Sequence, residues 1–434
     1  MIEKAFRQES GTPVFTRQGK YMTQGWTEWT QGFQFGSSLL QYEATDDNYY
    51  LNLGRIKTFE SMTTHVGHFG VHDHGFNNLS TYGNLWRLMD EGKIPNDGYE
   101  KQAYELALKI SGAVQAKRWT SIEDGGYIYS FNGPHSLFVD TIRSCRSLII
   151  SHLAGHKMLD ENDVQIDLIH RSLTHMETTA KYNIYYGKNR DRYDIPGRVA
   201  HESIFNVNDG KYRCPNSQQG YSGFTTWTRG LAWAILGFAE QLEFLDTLPD
   251  KKYNNTKSLS YYTDLFLEAA SITADFYIEN SFLDGIPYWD TGAPNIAKNY
   301  QNYESNPEDG REPVDSSAAV IAAQGFLRLG NYLDGKNSGK SKKYYQAGLT
   351  VAHTIFNAPY ISENEEHNGL ILHSIYHWPN GWDFVPKNSK IPYGESSMWG
   401  DYHARELALY LHRILNGEKY LTFFLGWIES TKTA

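Results

Sequence analysis

The sequence predicts an all-α protein, and three observations carry that reading. Apolar residues recur at three- and four-residue spacing in stretch after stretch of the 434 residues, the signature of helices that each bury one face. Strand-like alternation is confined to short pieces such as Tyr127 to Phe131. No Pro/Ser-rich linker, charge block or low-complexity tract divides the chain, so residues 1–434 read as a single domain.

Taken in order, Ala107, Ile110 and Val114 mark one helix, and Ile142, Cys145, Ile149 and Leu153 mark the next. Leu231, Ala234, Ile235, Phe238, Leu242 and Leu245 form the longest apolar stripe, which Pro249 stops. Leu265, Ala269, Ile272 and Phe276 follow, then Val320, Ala323 and Leu327, then Tyr345, Leu349 and Ala352, and finally Leu407, Leu411 and Ile414. The polar patches Asn254 to Lys257 and Gly335 to Gly339 are short enough to be surface loops. No repeating signature marks an α-solenoid.

A net charge of −10 and the lack of any long basic run argue against a nucleic-acid binder. A local cationic pocket for an anionic substrate stays open. The 31 Tyr and 11 Trp supply flat amphipathic rings that suit sugar faces as well as cores. Of the two cysteines, Cys145 lies on an apolar helical face and reads as a small buried hydrophobe. No apolar run reaches the roughly 18 residues that span a bilayer, and MIEKAFRQES lacks the apolar core of a secretory leader. The expected location is therefore cytoplasmic or periplasmic, and the expected state a monomer or weak homo-oligomer.

The residues that could carry chemistry sit at helix starts and in loops. Gln219, Tyr221, Trp227 and Arg229 crowd the start of the Leu231 helix. Arg229 faces the positive end of the helix dipole there, a conflict that something anionic would resolve. In isolation Trp227 and Trp233 read equally well as core aromatics, and Arg229 as a salt-bridge partner. Asp73, Asp140 and Asp315 each precede a helical run, where aspartate is a preferred cap. His65, His68, His72 and His74 look like a metal cluster, but the flanking Glu of HExxH is missing, and hydrogen-bonded histidines are the expectation. Further candidates are Trp29, Phe131, His201, Trp289, His373, His377 and Tyr402.

The order Gln219, Trp227, Arg229 and then Ala232-Trp233-Ala234 resembles glycoside hydrolase family 88, the unsaturated glucuronyl hydrolases. VDTIRS around Asp140 and HDHGF around Asp73 resemble the family's two acidic segments, and Trp29, His201, Trp289 and the C-terminal segment extend the likeness over nearly the whole chain. The run after Asp73 is more polar than the family's, with His74 and Asn77, and Phe131 stands where tryptophan is common. The resemblance implies an (α/α)6 barrel and hydration of a 4,5-unsaturated uronic acid at the end of lyase-generated oligosaccharides, without cofactor or metal.

On that reading Asp140 is the acid and base, and Asp73 is the second catalytic carboxylate that raises its pKa. Arg229 would hold the substrate carboxylate. His72, Phe131, His201, Gln219, Trp289 and Tyr402 would contact sugar, while Trp29 and Trp227 would stack on it. Alternatives on related scaffolds are an unsaturated rhamnogalacturonyl hydrolase of family 105, a polysaccharide lyase and a non-catalytic sugar-binding toroid.

Overall fold

A computed structural model of the protein describes residues 11–25, 28–249, 252–253, 257–420, 422–424 and 426. The MIEKAFRQES segment and Asn254–Thr256 of the expected polar loop lie outside these residues. The helices used below are α1 (Gln31–Thr45), α2 (Asn48–Ser61), α3 (His74–Asn78), α4 (Asn84–Asp90), α5 (Gly98–Lys117), α6 (Thr141–Ser144) and α7 (Arg146–Leu153). They continue as α8 (Leu168–Asn183), α9 (Thr228–Leu245), α10 (Leu259–Glu279), α11 (Ser316–Leu333), α12 (Ser338–Ile355) and α13 (Met398–Leu415).

Burial divides these helices into two classes. In α9 every residue but Glu243 is buried, and in α11 every residue but Asn331, so neither has a solvent face. By contrast α12 buries only Ser341, Tyr344, Gly348, Val351, Ala352 and Ile355. A helix apolar on all sides must be surrounded by others, and one with a single stripe must lie outside them. The contacts agree: α1 touches α3, α3 touches α6, α6 touches α9, α9 touches α11, α11 touches α13, and α13 returns to α1. Around this closed inner ring α2 packs on α1, α5 and α8 on α7, α10 on α9, and α12 on α11. This is the (α/α)6 toroid, and its outer members return the chain so that all inner helices run the same way.

Outer stripes are narrower than periodicity implied. In α5 the buried side is Tyr104, Ala107, Leu108, Ser111, Gly112, Gln115 and Ala116, while Ile110 is exposed; Leu349 of α12 is exposed as well. Cys145 is a free, fully buried thiol in the core between α6 and α7, as its position in the apolar stripe suggested.

The helix N-termini differ as well. Outer helices α2, α5, α8, α10 and α12 are capped by side chains of Asp47, Asp97, Asp167, Ser258 and Asn337. Of the inner helices, α11 and α13 are capped by Asp315 and Ser397, whereas α1, α3, α6 and α9 have no capping side-chain bond. Their amide ends meet at one mouth of the ring, where the summed helix dipoles favour negative charge.

A small antiparallel sheet closes over that mouth. Strand β1 (Ser136–Phe138) pairs with β2 (Glu202–Phe205), which pairs with β3 (Tyr212–Asn216), and Phe138 lies opposite Glu202. The pairing continues past the strands, for Val139 N–H donates to His201 carbonyl oxygen at 3.0 Å. Asp140 and His201, 61 residues apart in the chain, are thereby neighbours.

Candidate active site

Asp73 and Asp140 occupy the positions just before α3 and α6. Neither side chain caps its helix, so the ordinary structural explanation for an aspartate at that place fails for both. A close approach of the two helices brings them together. A Cβ on Gly75 would stand 2.4 Å from Ser144 Cα, so only glycine permits this crossing, and Gly75 N–H donates to Ser144 Oγ at 3.1 Å.

His72 bridges the pair. Its Nε2 is 3.5 Å from Asp140 Oδ2 and 3.8 Å from Asp73 Oδ1. On the other side His201 Nε2 is 3.9 Å from Asp140 Oδ1. Gln218 N–H donates to His201 Nδ1 at 3.2 Å, which makes Nδ1 an acceptor and leaves the proton of the neutral ring on Nε2, facing Asp140. Asp140 Oδ1, His201 Nε2 and both ring nitrogens of His72 are buried without a well-formed hydrogen bond in the protein. Such atoms cost stability, and four of them in one cluster mark a place built to meet something else.

The electrostatics separate the two carboxyls. Burial raises the Asp73 pKa, and the Asp140 charge beside it adds to the rise. Burial acts on Asp140 as well, but the hydrogen bond and charge of His72, with the charge of His201, hold it below its ordinary value. For His72, burial favours the neutral ring, yet Asp73 and Asp140 together raise its pKa. His201 is pushed down to about 4, chiefly by burial. The expectation that Asp140 carries a raised pKa in the free protein is thus corrected: the proton of the cluster rests on the His72–Asp73 side. His72, Asp73 and Asp140 also place one ligand atom each within 4.8 Å of one another, so the groups that share this proton could hold a cation.

Aromatic rings wall the cluster. Phe131, half exposed, stacks on His72 with centroids 5.9 Å apart. Trp227 packs on His201 at 4.6 Å. Trp29 stacks on Trp399 at 5.0 Å, and Tyr376 lies against the same Trp399 ring at 5.0 Å.

Three residues expected to contact substrate are engaged within the protein. Arg229 is buried, and its terminal nitrogens are engaged within the protein: Nη1 donates to Asp315 Oδ2 at 3.3 Å and to Ile375 carbonyl, and Nη2 to Gln219 Oε1 at 2.7 Å and Tyr376 carbonyl at 2.9 Å. The ring of Trp227 at 4.5 Å and that of Trp399 at 4.7 Å sandwich its guanidinium. The anion that resolves its conflict with the dipole of α9 is Asp315, which also caps α11 through Ser317 N–H at 3.0 Å. Arg229 therefore builds the wall and orients Gln219. Tyr402 is buried on the ring axis, where its hydroxyl accepts from Asn84 Nδ2 at 3.1 Å and its ring packs on Phe33 and His403. Trp289 is buried with its Nε1 bound to Glu312 Oε2 at 3.0 Å, packed in one cluster with Trp227.

Two other histidines of the 65–74 stretch are held within the protein. His65 Nε2 meets Gln31 Oε1 at 2.7 Å, and His74 meets Ser111 Oγ at 3.0 Å and His68 carbonyl oxygen at 2.9 Å. Of the C-terminal pair, His373 is buried, held by Pro359 carbonyl oxygen at 3.3 Å and Gly394 N–H at 3.0 Å, whereas His377 follows Tyr376 in the wall. The sequence reading missed Glu28, whose pKa burial and the Asp73 charge raise, together with Tyr376 and Trp399. The aromatic density of IYHWP and MWGDY was the available signal.

No family model matches the sequence. Among curated proteins it is similar to the unsaturated glucuronyl hydrolase of Bacillus sp. (strain GL1), 25% identical over 403 residues that cover 92% of this chain and 90% of the relative. The unsaturated glucuronyl hydrolase of Formosa agariphila is 25% identical over 387 residues, 87% of this chain and 78% of the relative. An unsaturated chondroitin disaccharide hydrolase of Streptococcus pyogenes is 23% identical over 423 residues, 95% and 88% of the two chains. The crystal structure of the Bacillus sp. GL1 unsaturated glucuronyl hydrolase superposes with a TM-score of 0.73 at 21% identity, covering 98% of this chain and all of that one, a likeness of fold.

Proposed function

We propose that this chain belongs to the unsaturated glucuronyl hydrolases, glycoside hydrolase family 88, which it resembles over most of its length, and that it removes a terminal 4,5-unsaturated glucuronic acid from oligosaccharides left by polysaccharide lyases. The observation that carries the proposal is the pair Asp73 and Asp140, joined through His72 and surrounded by unpartnered buried polar atoms.

The chemistry is hydration of an enol ether. Protonation at C4 moves the positive charge onto C5 and the ring oxygen, water adds at C5, and the hemiketal opens and releases the glycosidic partner. One group can make both proton transfers, so the two carboxyls need not straddle C1 as acid and nucleophile do in ordinary glycosidases. Asp140 is that group. It is ionised in the free protein, but a substrate carboxylate beside it and the exclusion of water both raise its pKa. His72 Nε2, 3.5 Å away, supplies the proton. Asp140 gives it to C4, takes one from the attacking water as carboxylate, and passes that proton back to His72, which returns both groups to their starting state. Asp73 stabilises the positive charge that develops at C5. His201, with its Nε2 proton unpartnered, and the uncapped ends of α1, α3, α6 and α9 meet the substrate carboxylate. Trp29, Trp227 and Phe131 contact the ring.

The test is a spectrophotometric trace. The conjugated double bond absorbs in the ultraviolet, so the protein should erase the absorbance of lyase-made unsaturated disaccharides. A rise in absorbance on intact polysaccharide would mean a lyase, and binding without any loss would mean a sugar-binding toroid.

A further inference from the structure

Against Trp289, which packs with Trp227, lies a groove of about 1200 Å³ that the scheme above does not use. Trp289, Tyr303 and Trp378 supply its aromatic surface, and Lys298, Arg311 and Lys390 line it with cations. None of the three cations makes an ion pair among the described residues, in a chain whose net charge is −10. The lone carboxylate among the described lining residues, Glu312, is buried and already accepts from Trp289 Nε1 and from Asn295 N–H and Nδ2, each at 3.0 Å. Its oxygens are therefore already engaged within the protein.

Trp227 links the groove to the catalytic pocket: it touches His201 and packs with Trp289, Ala293 and Ile375. Tyr221, on the groove rim, follows Gln219 by two residues. A sugar here is out of reach of Asp140, yet it can be joined to the sugar that Asp140 attacks. Aromatic faces hold pyranose rings by their apolar sides, and guanidinium and ammonium groups hold sulfate esters or carboxylates.

We propose that this groove binds the distal residues of an oligosaccharide longer than a disaccharide, and that those residues carry sulfate or carboxylate groups. The proposal rests on the hydrolase reading and adds to it a preference for long, anionic substrates. Lys298 and Arg311 are the specificity-determining cations. Both lie on the segment after Trp289 and contribute nothing to the carboxylate cluster.

The experiment uses Asp140→Asn protein, to prevent turnover, and four lyase-made unsaturated tetrasaccharides from hyaluronan, chondroitin sulfate, heparan sulfate and a source giving the neutral-tailed ΔGlcA-Glc-Rha-Glc. Calorimetry should show the anionic tetrasaccharides binding at least about tenfold more tightly than the neutral-tailed one. A preference for chondroitin or heparan sulfate over hyaluronan assigns the contact to sulfate, and equal binding of the three assigns it to carboxylate. Adding Lys298→Ala and Arg311→Ala should abolish the preference and leave disaccharide binding unchanged. Equal binding of anionic and neutral tetrasaccharides, or a preference that survives the double substitution, overturns the proposal. Failure of the hydrolase reading itself would look different, for then the unsubstituted protein would leave the absorbance of every disaccharide intact.

Discussion

Asp140 and Arg143 are three residues apart at the start of one inner helix, yet they stand in opposite electrostatic settings. Arg143 is fully buried and fully paired: it donates to Glu240 Oε1 at 3.0 Å, to Glu406 Oε2 at 2.8 Å and to His403 Nε2. Further toward the closed end Arg87 pairs with Glu43 at 2.6 Å, and Arg413 joins Glu43 and Glu91. Asp140, by contrast, keeps one oxygen with no partner and faces imidazoles at 3.5 and 3.9 Å. Both sites bury charge. The paired one ties the inner helices together, and the underpaired one is held in readiness by that frame, so it is the shortfall in partners that marks chemistry.

The largest expected effect lies at the paired site. Arg143→Met leaves Glu240 and Glu406 buried without their shared cation, which should cost about 3–5 kcal/mol, read from urea unfolding. A loss under about 1 kcal/mol would mean that the network contributes little and that the contrast drawn above is false. Asp140→Asn should do the reverse, changing stability by no more than about 1 kcal/mol while lowering kcat at least about 100-fold. Near-normal turnover would remove Asp140 from the mechanism.

How much of this could be read from the chain follows the same division. The helical period is a local pattern and led to the all-α class, while the segments around Asp73, Asp140 and His201 led, through the family they resemble, to the ring and to the cluster. The conflict between Arg229 and the dipole of its helix was visible too, but its answer, Asp315, lies 86 residues away and emerges only when α9 meets α11. Trp289 and Tyr402 look in sequence like Trp29 and Trp227, because an aromatic at a helix start does not say whether its ring faces a pocket or the axis. The pKa order was missed for a similar reason. Whether Asp73 or Asp140 holds the proton depends on where His72 points, and no spacing encodes that.

The smallest expected effect separates the two settings by pH. Burial lowers the pKa of His65 and His74 to about 4 and of His175 and His403 to about 3, against about 6.5 unfolded. These rings favour the neutral form in the fold, so their contribution is whole above pH 6.5 and is lost as pH falls toward 4. Glu406 is held down to about 2 although burial opposes it, because Arg143 outweighs burial. Its contribution is present above its unfolded value of about 4.3 and goes only as pH falls toward 2. Tm should therefore decline first between pH 6.5 and 4.5, with a second, steeper fall below about 4. A Tm that stays flat down to pH 4.5 would contradict the buried neutral histidines.

The most direct test of the central claim, that one carboxylic acid protonates an alkene carbon, is turnover of an unsaturated disaccharide in heavy water followed by mass spectrometry and NMR of the early product. Hydration through Asp140 predicts one deuterium at C4, on a single face, and no cleavage of the saturated glucuronide. A product without deuterium at C4, formed alongside equal cleavage of the saturated sugar, would contradict it.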